Sequence, residues 1–276
     1  MRIGQMRIDP LIDGETVSPP TACYVNPADW SGYENYLDTT TGVHMNTLGG
    51  YLIRYDDRVI VVDTGAGPKP VYPVSSGGFR SALYATGVTP AEVTDVIYSH
   101  LHLDHIGWAS INGKPFFANA TYRVDKRDWD YFVSPDYDMP DWEKAASDPS
   151  IDAAAVRLAP VADRMEFFEG DQEVLPGIES VEASGHTPGS SVLRLTSDGE
   201  QGMLLGDLVH SQPELVKERW HFFAHLDPVA AMDAVERIRK ELADTKMPFG
   251  AAHFPGLRWG QLSMKGSELR YDLIPL

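Results

Sequence analysis

The sequence holds one cysteine, Cys23, in 276 residues, so no disulfide can close within the chain and no thiolate cluster can bind a metal. A reducing compartment is the expectation. Positive charge is scarce as well: 23 Lys and Arg stand against 40 Asp and Glu, a formal net charge of -17. Binding to a phosphate backbone draws on clustered cations that release counterions, so no nucleic-acid partner is expected. The substrate should be a neutral or cationic small molecule, although acidity of this kind also serves solubility alone. Long apolar runs are missing: none approaches the roughly 20 residues that span a bilayer. Met1-Arg2-Ile3-Gly4-Gln5-Met6-Arg7-Ile8-Asp9-Pro10 lacks the apolar core of a signal peptide. No membrane partner and a cytoplasmic location follow as expectations. Short-period repeats and low-complexity tracts are absent too.

What is present fits a loop-rich α/β protein: 43% hydrophobic residues with 24 Gly and 20 Pro, in a chain long enough for a substantial core. Loose alternation over residues 1–12 predicts an opening strand. Residues 18–47 form an aromatic-rich arm, in which Pro19, Pro20, Pro27, Gly32 and Gly42 are interleaved with Tyr24, Trp30, Tyr33 and Tyr36. Those rings need burial, which packing on the chain's own body, folding over an active-site mouth, or exchange with a second subunit in a homodimer would each supply. A hairpin is predicted from residues 51–55 and 59–63, the second run apolar on both faces and therefore a central strand. Helical patterns cover 79–86, closed by Gly87, and begin again at Thr89-Pro90-Ala91-Glu92. A strand over 120–124 precedes a helix over 126–132, and a helix over 151–158 follows a loop-like insertion, residues 135–149. Tyr137, Met139, Pro140 and Trp142 make that insertion a candidate lid or pocket wall. The second half repeats the logic of the first, with apolar runs at 181–183, 192–195, 203–205 and 249–252 and an amphipathic helix over 230–242 carrying Ala231, Val235, Ile238 and Leu242.

The densest chemistry lies in Ser99-His100-Leu101-His102-Leu103-Asp104-His105-Ile106-Gly107, three imidazoles and one carboxylate within six residues. It follows directly on Val96-Ile97-Tyr98, an apolar run that should deliver it to a sheet edge. If the chain turns there and starts a helix near Asp104, His100 and His102 can face one metal while Asp104 and His105 face a second. Neutral imidazole suits zinc, copper, iron and nickel, and an added carboxylate favours hydrolytic zinc or non-haem iron.

This motif resembles the H-x-H-x-D-H signature of the metallo-β-lactamase superfamily. The resemblance extends to His186 in Ser184-Gly185-His186-Thr187-Pro188-Gly189, Asp207 in Leu204-Leu205-Gly206-Asp207, and His253 in Ala251-Ala252-His253-Phe254-Pro255. Asp63, in Val61-Val62-Asp63-Thr64-Gly65, matches an early aspartate that supports the metal shell without joining it. The resemblance implies a four-layer αβ/βα sandwich formed as one domain over residues 1–276. It implies two zinc ions, with other divalent metals open, the first held by His100, His102 and His186, the second by Asp104, His105 and His253, and Asp207 bridging. A hydroxide shared by the metals would attack a carbonyl or phosphoryl centre, and Asp104 would pass its proton to the departing oxygen.

Five of the nine histidines occupy the matched positions; His44, His221 and His225 are taken as ordinary residues. His210 stands three residues after Asp207, where lactonases of the superfamily commonly carry a tyrosine, and it could bond substrate or serve as an outer partner with equal reason. Trp108, Trp220, Phe222 and Phe223 could bring aromatic surface beside the metals and suit an acyl chain or aromatic ring. The Gly206-Asp207-Leu208-Val209-His210 run, the Asp227-Pro228 helix start and the His253-Phe254-Pro255 end resemble the lactonase and organophosphate-hydrolase branch. The implied activity is opening of a lactone, including an N-acyl homoserine lactone in quorum quenching, or cleavage of a related ester. Organophosphate or aryl ester hydrolysis and a glyoxalase-II-like thioesterase are the alternatives on the same ligands. A metal-binding ligand sensor is the non-enzymatic one.

Overall fold

Side-chain parity along the strands divides the apolar residues among three layers. In the computed structural model, which describes residues 1–276 apart from 26–29, 32, 35, 36, 39, 70–73, 217–219 and 276, the strands form an eight-stranded sheet, a seven-stranded sheet and a small two-stranded one. The first sheet runs Arg2–Ile3, Met6–Ser18, His44–Tyr55, Arg58–Val62, Asp95–Ile97, Thr121–Asp125 and Met165–Phe168, with Val74–Ser76 added to Met6–Ser18. The second runs Gln172–Leu175, Ile178–Glu182, Ser191–Ser197, Glu200–Leu204, Phe249–Gly250, Gly260–Lys265 and Glu268–Leu273.

Leu52, Val61 and Val96 point to one side of the first sheet, where Phe79 and Leu83 of the helix Phe79–Ala85 meet Leu101, Phe117 and Phe132. Their neighbours Ile53, Ile60, Val62 and Ile97 point the other way, onto Ile178, Leu193, Leu195 and Leu204 of the second sheet. The far side of that sheet, through Val181, Val192 and Met203, takes Ala234, Ile238 and Leu242 of the helix Pro228–Thr245. Helix, sheet, sheet and helix therefore stack as the four-layer αβ/βα sandwich expected. Arg58–Val62 is central, paired on both sides, which is why both of its faces are apolar. Each large aliphatic side chain buried there stabilises the fold by about 1.5–3 kcal/mol, so the layer between the sheets is a main support of their packing.

The arm is shorter than its composition suggests. Met6–Ser18 carries the opening strand up to Ser18, a short helix Pro20–Cys23 follows, and His44–Tyr55 resumes the sheet. Cys23, Tyr24, Trp30, Tyr33 and Leu37 pack with Trp220 and Phe222 of the same chain; Pro27, Gly32 and Tyr36 lie outside the described residues. The insertion is not wholly loop, since Asp141–Ala146 is a helix. The helix expected over 151–158 is two, Pro149–Asp152 and Ala154–Leu158, separated by Ala153, whose φ of -53° and ψ of 136° leave the helical region; the break lets Arg157 bond the Asp152 carboxylate at 2.6 Å. The start at Thr89 gives a single 3-10 turn, Pro90–Glu92, closed by a capping box. Among the described residues no helix is long and apolar enough to cross a membrane.

Candidate metal centre

Seven side chains spread over residues 100–253 meet where the two sheets open. Asp95–Ile97 ends, the chain turns through His100-Leu101-His102, and the helix Leu103–Ile106 begins with His102 as its N-cap residue. This places His100 and His102 before the helix and Asp104 and His105 in its first turn. From the second sheet, His186 follows Ile178–Glu182, Asp207 sits in the turn Gly206–Leu208 after Glu200–Leu204, and His253 follows Phe249–Gly250.

The donor atoms of His100, His102, His186 and Asp207 lie within 4.8 Å of one another, as do those of Asp104, His105 and His253. His102 Nδ1 is 3.0 Å from His100 Nε2 and 2.9 Å from His186 Nε2. Asp207 faces both groups: its Oδ2 is 3.4 Å from His186 Nε2, and its Oδ1 is 3.2 Å from His105 Nε2 and 3.0 Å from His253 Nε2. Among the described residues, His105 Nε2 and Asp207 Oδ1 are buried without a hydrogen-bond partner. Buried polar atoms in that condition are costly, and imidazole nitrogens crowded at hydrogen-bond distance cannot all donate. A divalent cation in each group would satisfy them, and the nitrogen and carboxylate donors suit one.

Burial, aided by neighbouring imidazoles, holds His100 and His102 well below the usual histidine pKa, so their lone pairs are free for a cation. Burial would depress His105 too, but Asp207, Asp63 and Asp104 outweigh it and hold its pKa well above the usual value. For Asp207 burial works upward, and His253, His105 and His100 overcome it, keeping the carboxyl well below the ordinary range.

Other residues orient these donors. Asp63 accepts from the Ser99 backbone N–H at 2.8 Å, from Ser99 Oγ at 2.7 Å and from His105 Nδ1 at 3.0 Å. His253 Nδ1 donates to the Thr47 carbonyl at 3.1 Å. Sequence reasoning missed two more. Asp128, fully buried, accepts from Leu101 N, Thr187 Oγ1 and Gly189 N, tying the His100–His102 loop to the His186 loop. His225, taken as ordinary, has its Nδ1 3.1 Å from His186 Nδ1. Nothing in the local pattern of either segment marks them.

A cavity of about 270 Å³ opens beside the centre. Its apolar wall comes from Val17, Leu48, Val74, Trp142, Phe222 and Phe223, and no Lys or Arg is among its described lining residues. The insertion thus supplies a pocket wall through Trp142, whose ring meets His102 edge-on at 5.3 Å. His210 lines the cavity with Nε2 3.3 Å from Asp207 Oδ2. Trp108 does not: it packs against Phe79 and Phe116 on the helix side of the first sheet, its indole N–H bonded to Asp13. Trp220 packs instead on Tyr24 and Trp30.

The model of the metallo-beta-lactamase superfamily matches residues 50–253. An N-acyl homoserine lactonase of Bacillus thuringiensis is 23% identical over 217 residues, covering 71% of this chain and 76% of its own. The N-acyl homoserine lactonase AttM of Rhizobium johnstonii is 45% identical over 103 residues, 32% of this chain and 37% of its own. Among solved structures, AidC, a dizinc quorum-quenching lactonase in complex with a product, superposes with a TM-score of 0.83 at 22% identity, covering 100% of this chain and 97% of its own. The hydrolase AbOPH superposes with a TM-score of 0.84 at 24% identity, covering 100% and 96%. These two likenesses establish the fold.

Proposed function

This chain belongs to the metallo-beta-lactamase superfamily and is a metal-dependent hydrolase, and from that premise we propose that it opens lactone rings, with N-acyl homoserine lactones as the substrate class. One observation carries the reading: two donor groups lie on either side of Asp207 and open onto an apolar cavity with no cationic side chain among its described lining residues. A neutral ester with an acyl chain fits such a wall. An anionic thioester conjugate finds no described counter-charge there.

His100, His102 and His186 would hold one zinc ion, Asp104, His105 and His253 a second, and Asp207 one oxygen toward each. Bound there, the pair supplies Lewis acidity and lowers the pKa of water at the centre. The chain's own residues do the rest. Leu48, Val74, Trp142, Phe222 and Phe223 exclude bulk water and hold the acyl chain. Asp104, whose side chain is 23% exposed and lines the cavity, takes the proton released on attack and returns it to the ring oxygen as the acyl–oxygen bond breaks. His210, which also lines the cavity, bonds a substrate oxygen. Water adds across one ester bond, giving a hydroxy acid.

The test is a zinc-loaded preparation of known metal content offered acyl homoserine lactones, simple lactones, thioesters and aryl phosphotriesters, with acid release followed at constant pH. Ring opening of the acyl homoserine lactones is expected. Turnover of phosphotriesters or thioesters alone would replace the reading, and turnover of none would remove it.

A further inference from the structure

His210 is buried at 2% exposure, and among the described residues neither of its ring nitrogens has a hydrogen-bond partner. Phe222 lies flat against the ring, centroids 3.4 Å apart and planes 11° from parallel, and His253 lies nearly parallel on another side at 5.5 Å. Stacking fixes the plane of an imidazole but not which edge points where. A half-turn about the bond joining the ring to Cβ leaves the plane unchanged while exchanging Nδ1 with a carbon and Nε2 with another. Something outside the stack must choose between the two.

Glu214, on the helix Gln212–Val216, is placed to choose. Its carboxylate is buried, and Oε1 accepts from Tyr24 OH at 2.6 Å, His210 N at 2.8 Å, Ser211 N at 2.6 Å and Ser211 Oγ at 3.1 Å. With Oε1 taken up, Oε2 is left 3.6 Å from His210 Nδ1, an ion-pair distance. In this orientation Nε2 faces Asp207 Oδ2 at 3.3 Å. In the flipped ring a carbon would face each carboxylate.

We propose that Glu214 is a positioning residue for His210: its second oxygen selects the ring orientation that turns Nε2 toward Asp207 and the cavity, while Tyr24 and Ser211 hold the carboxylate in place. That Nε2 then bonds a lactone rests on the function proposed above; the orientation does not. Glu214→Gln separates this role from a cap on the backbone, because the amide keeps one oxygen for the N–H groups of His210 and Ser211 and replaces the other with a donor.

The experiment compares zinc-loaded wild type, Glu214→Gln, His210→Ala and the double variant. Side-chain ¹H–¹⁵N spectra of histidine-labelled protein come first, with the His210 signals assigned by their loss in His210→Ala. Glu214→Gln should shift the His210 signals; an unchanged set overturns the proposal. Second, kcat/KM on a lactone that the wild type opens should fall about 10- to 100-fold in Glu214→Gln, the range for losing a partner that orients a functional histidine. The double variant should be no worse than His210→Ala, since Glu214 acts through that ring. An equal loss in both backgrounds means a structural role and overturns the proposal. If the wild type opens no lactone, the function reading fails while the spectra still decide Glu214. Should Glu214→Gln not fold, Tyr24→Phe should move the same signals to a smaller extent, and their constancy would count against the proposal.

Discussion

Asp63 shows how a carboxylate outside the two donor groups ties them in place. It adopts a left-handed backbone, φ 57°, a conformation in which Asp is among the few non-glycine residues enriched. From there it binds both Ser99, at the head of the histidine motif, and His105 Nδ1, leaving His105 Nε2 as the donor. Asp63→Ala should therefore weaken metal binding about 10- to 100-fold with the seven donors intact, measured by competition with a chromophoric chelator; unchanged affinity would mean that the helix Leu103–Ile106 alone orients His105. Asp63 was legible through its match to the early aspartate of the resembling family, at the end of an apolar run. Asp128 and Glu214 were not. Each is a charge on a short helix whose neighbours look like any amphipathic surface, and its burial depends on a loop more than 50 residues away or on the arm. His210 could be found by its spacing from Asp207, whereas the choice between its two ring edges is a tertiary matter.

At the scale of elements, the insertion is where sequence and structure part most. Read as loop, it forms a helix, Asp141–Ala146, because Glu143 is drawn inward to bond Tyr137 OH at 2.6 Å, which turns Trp142 onto His102 and Phe223. Trp142→Ala should raise KM for long-chain acyl lactones about tenfold and leave that of short-chain ones nearly unchanged, since a lost apolar contact is worth about 1–3 kcal/mol in discrimination. Equal effects on both chain lengths would place the acyl chain elsewhere. The neighbouring short helices are held by charge. Asp152 accepts from Lys69 Nζ and Arg157 Nη2, each at 2.6 Å, and from Asp148 N at 2.9 Å. Burial pushes its carboxyl up, but these partners outweigh burial and hold its pKa below the ordinary 3.8. A carboxyl that takes up protons less readily folded than unfolded stabilises the fold above the unfolded value and loses that contribution as pH falls through the lower folded one. Metal-free wild type should thus be more stable than Asp152→Asn by about 1.5–3 kcal/mol at pH 6, and chemical unfolding should show the two converging as pH drops below 3.8. A gap that widened on acidification would contradict this. The edge strands Met165–Phe168, Gln172–Leu175 and Glu268–Leu273 left no usable pattern, since little of each is buried.

For the whole molecule, the decisive feature is that the donors divide between the halves. His100, His102, Asp104 and His105 hang from the first sheet, and His186, Asp207 and His253 from the second. That division was visible in the order of the motifs, because each apolar run that ends in a candidate ligand belongs to one half. The contact between halves was not, because apolar runs do not say which face meets which. Ile53, Ile60 and Val62 against Ile178, Leu193 and Leu195 hold the sheets together without any ion, so metal-free protein should remain folded and unfold cooperatively. Cations bound across the seam add to that layer only in the folded state: free zinc at a thousand times its dissociation constant stabilises by about 4 kcal/mol. At about 2–4 °C per kcal/mol for a chain near this size, chelation should lower the unfolding midpoint by on the order of 10 °C. Hydrogen exchange should rise at the loops around His100, His186 and His253 and stay slow in the strands between the sheets. Verified removal of the metal with no change in midpoint would mean that these side chains do not clamp the halves through a shared cation, and the centre would lose its place as the joint of the fold.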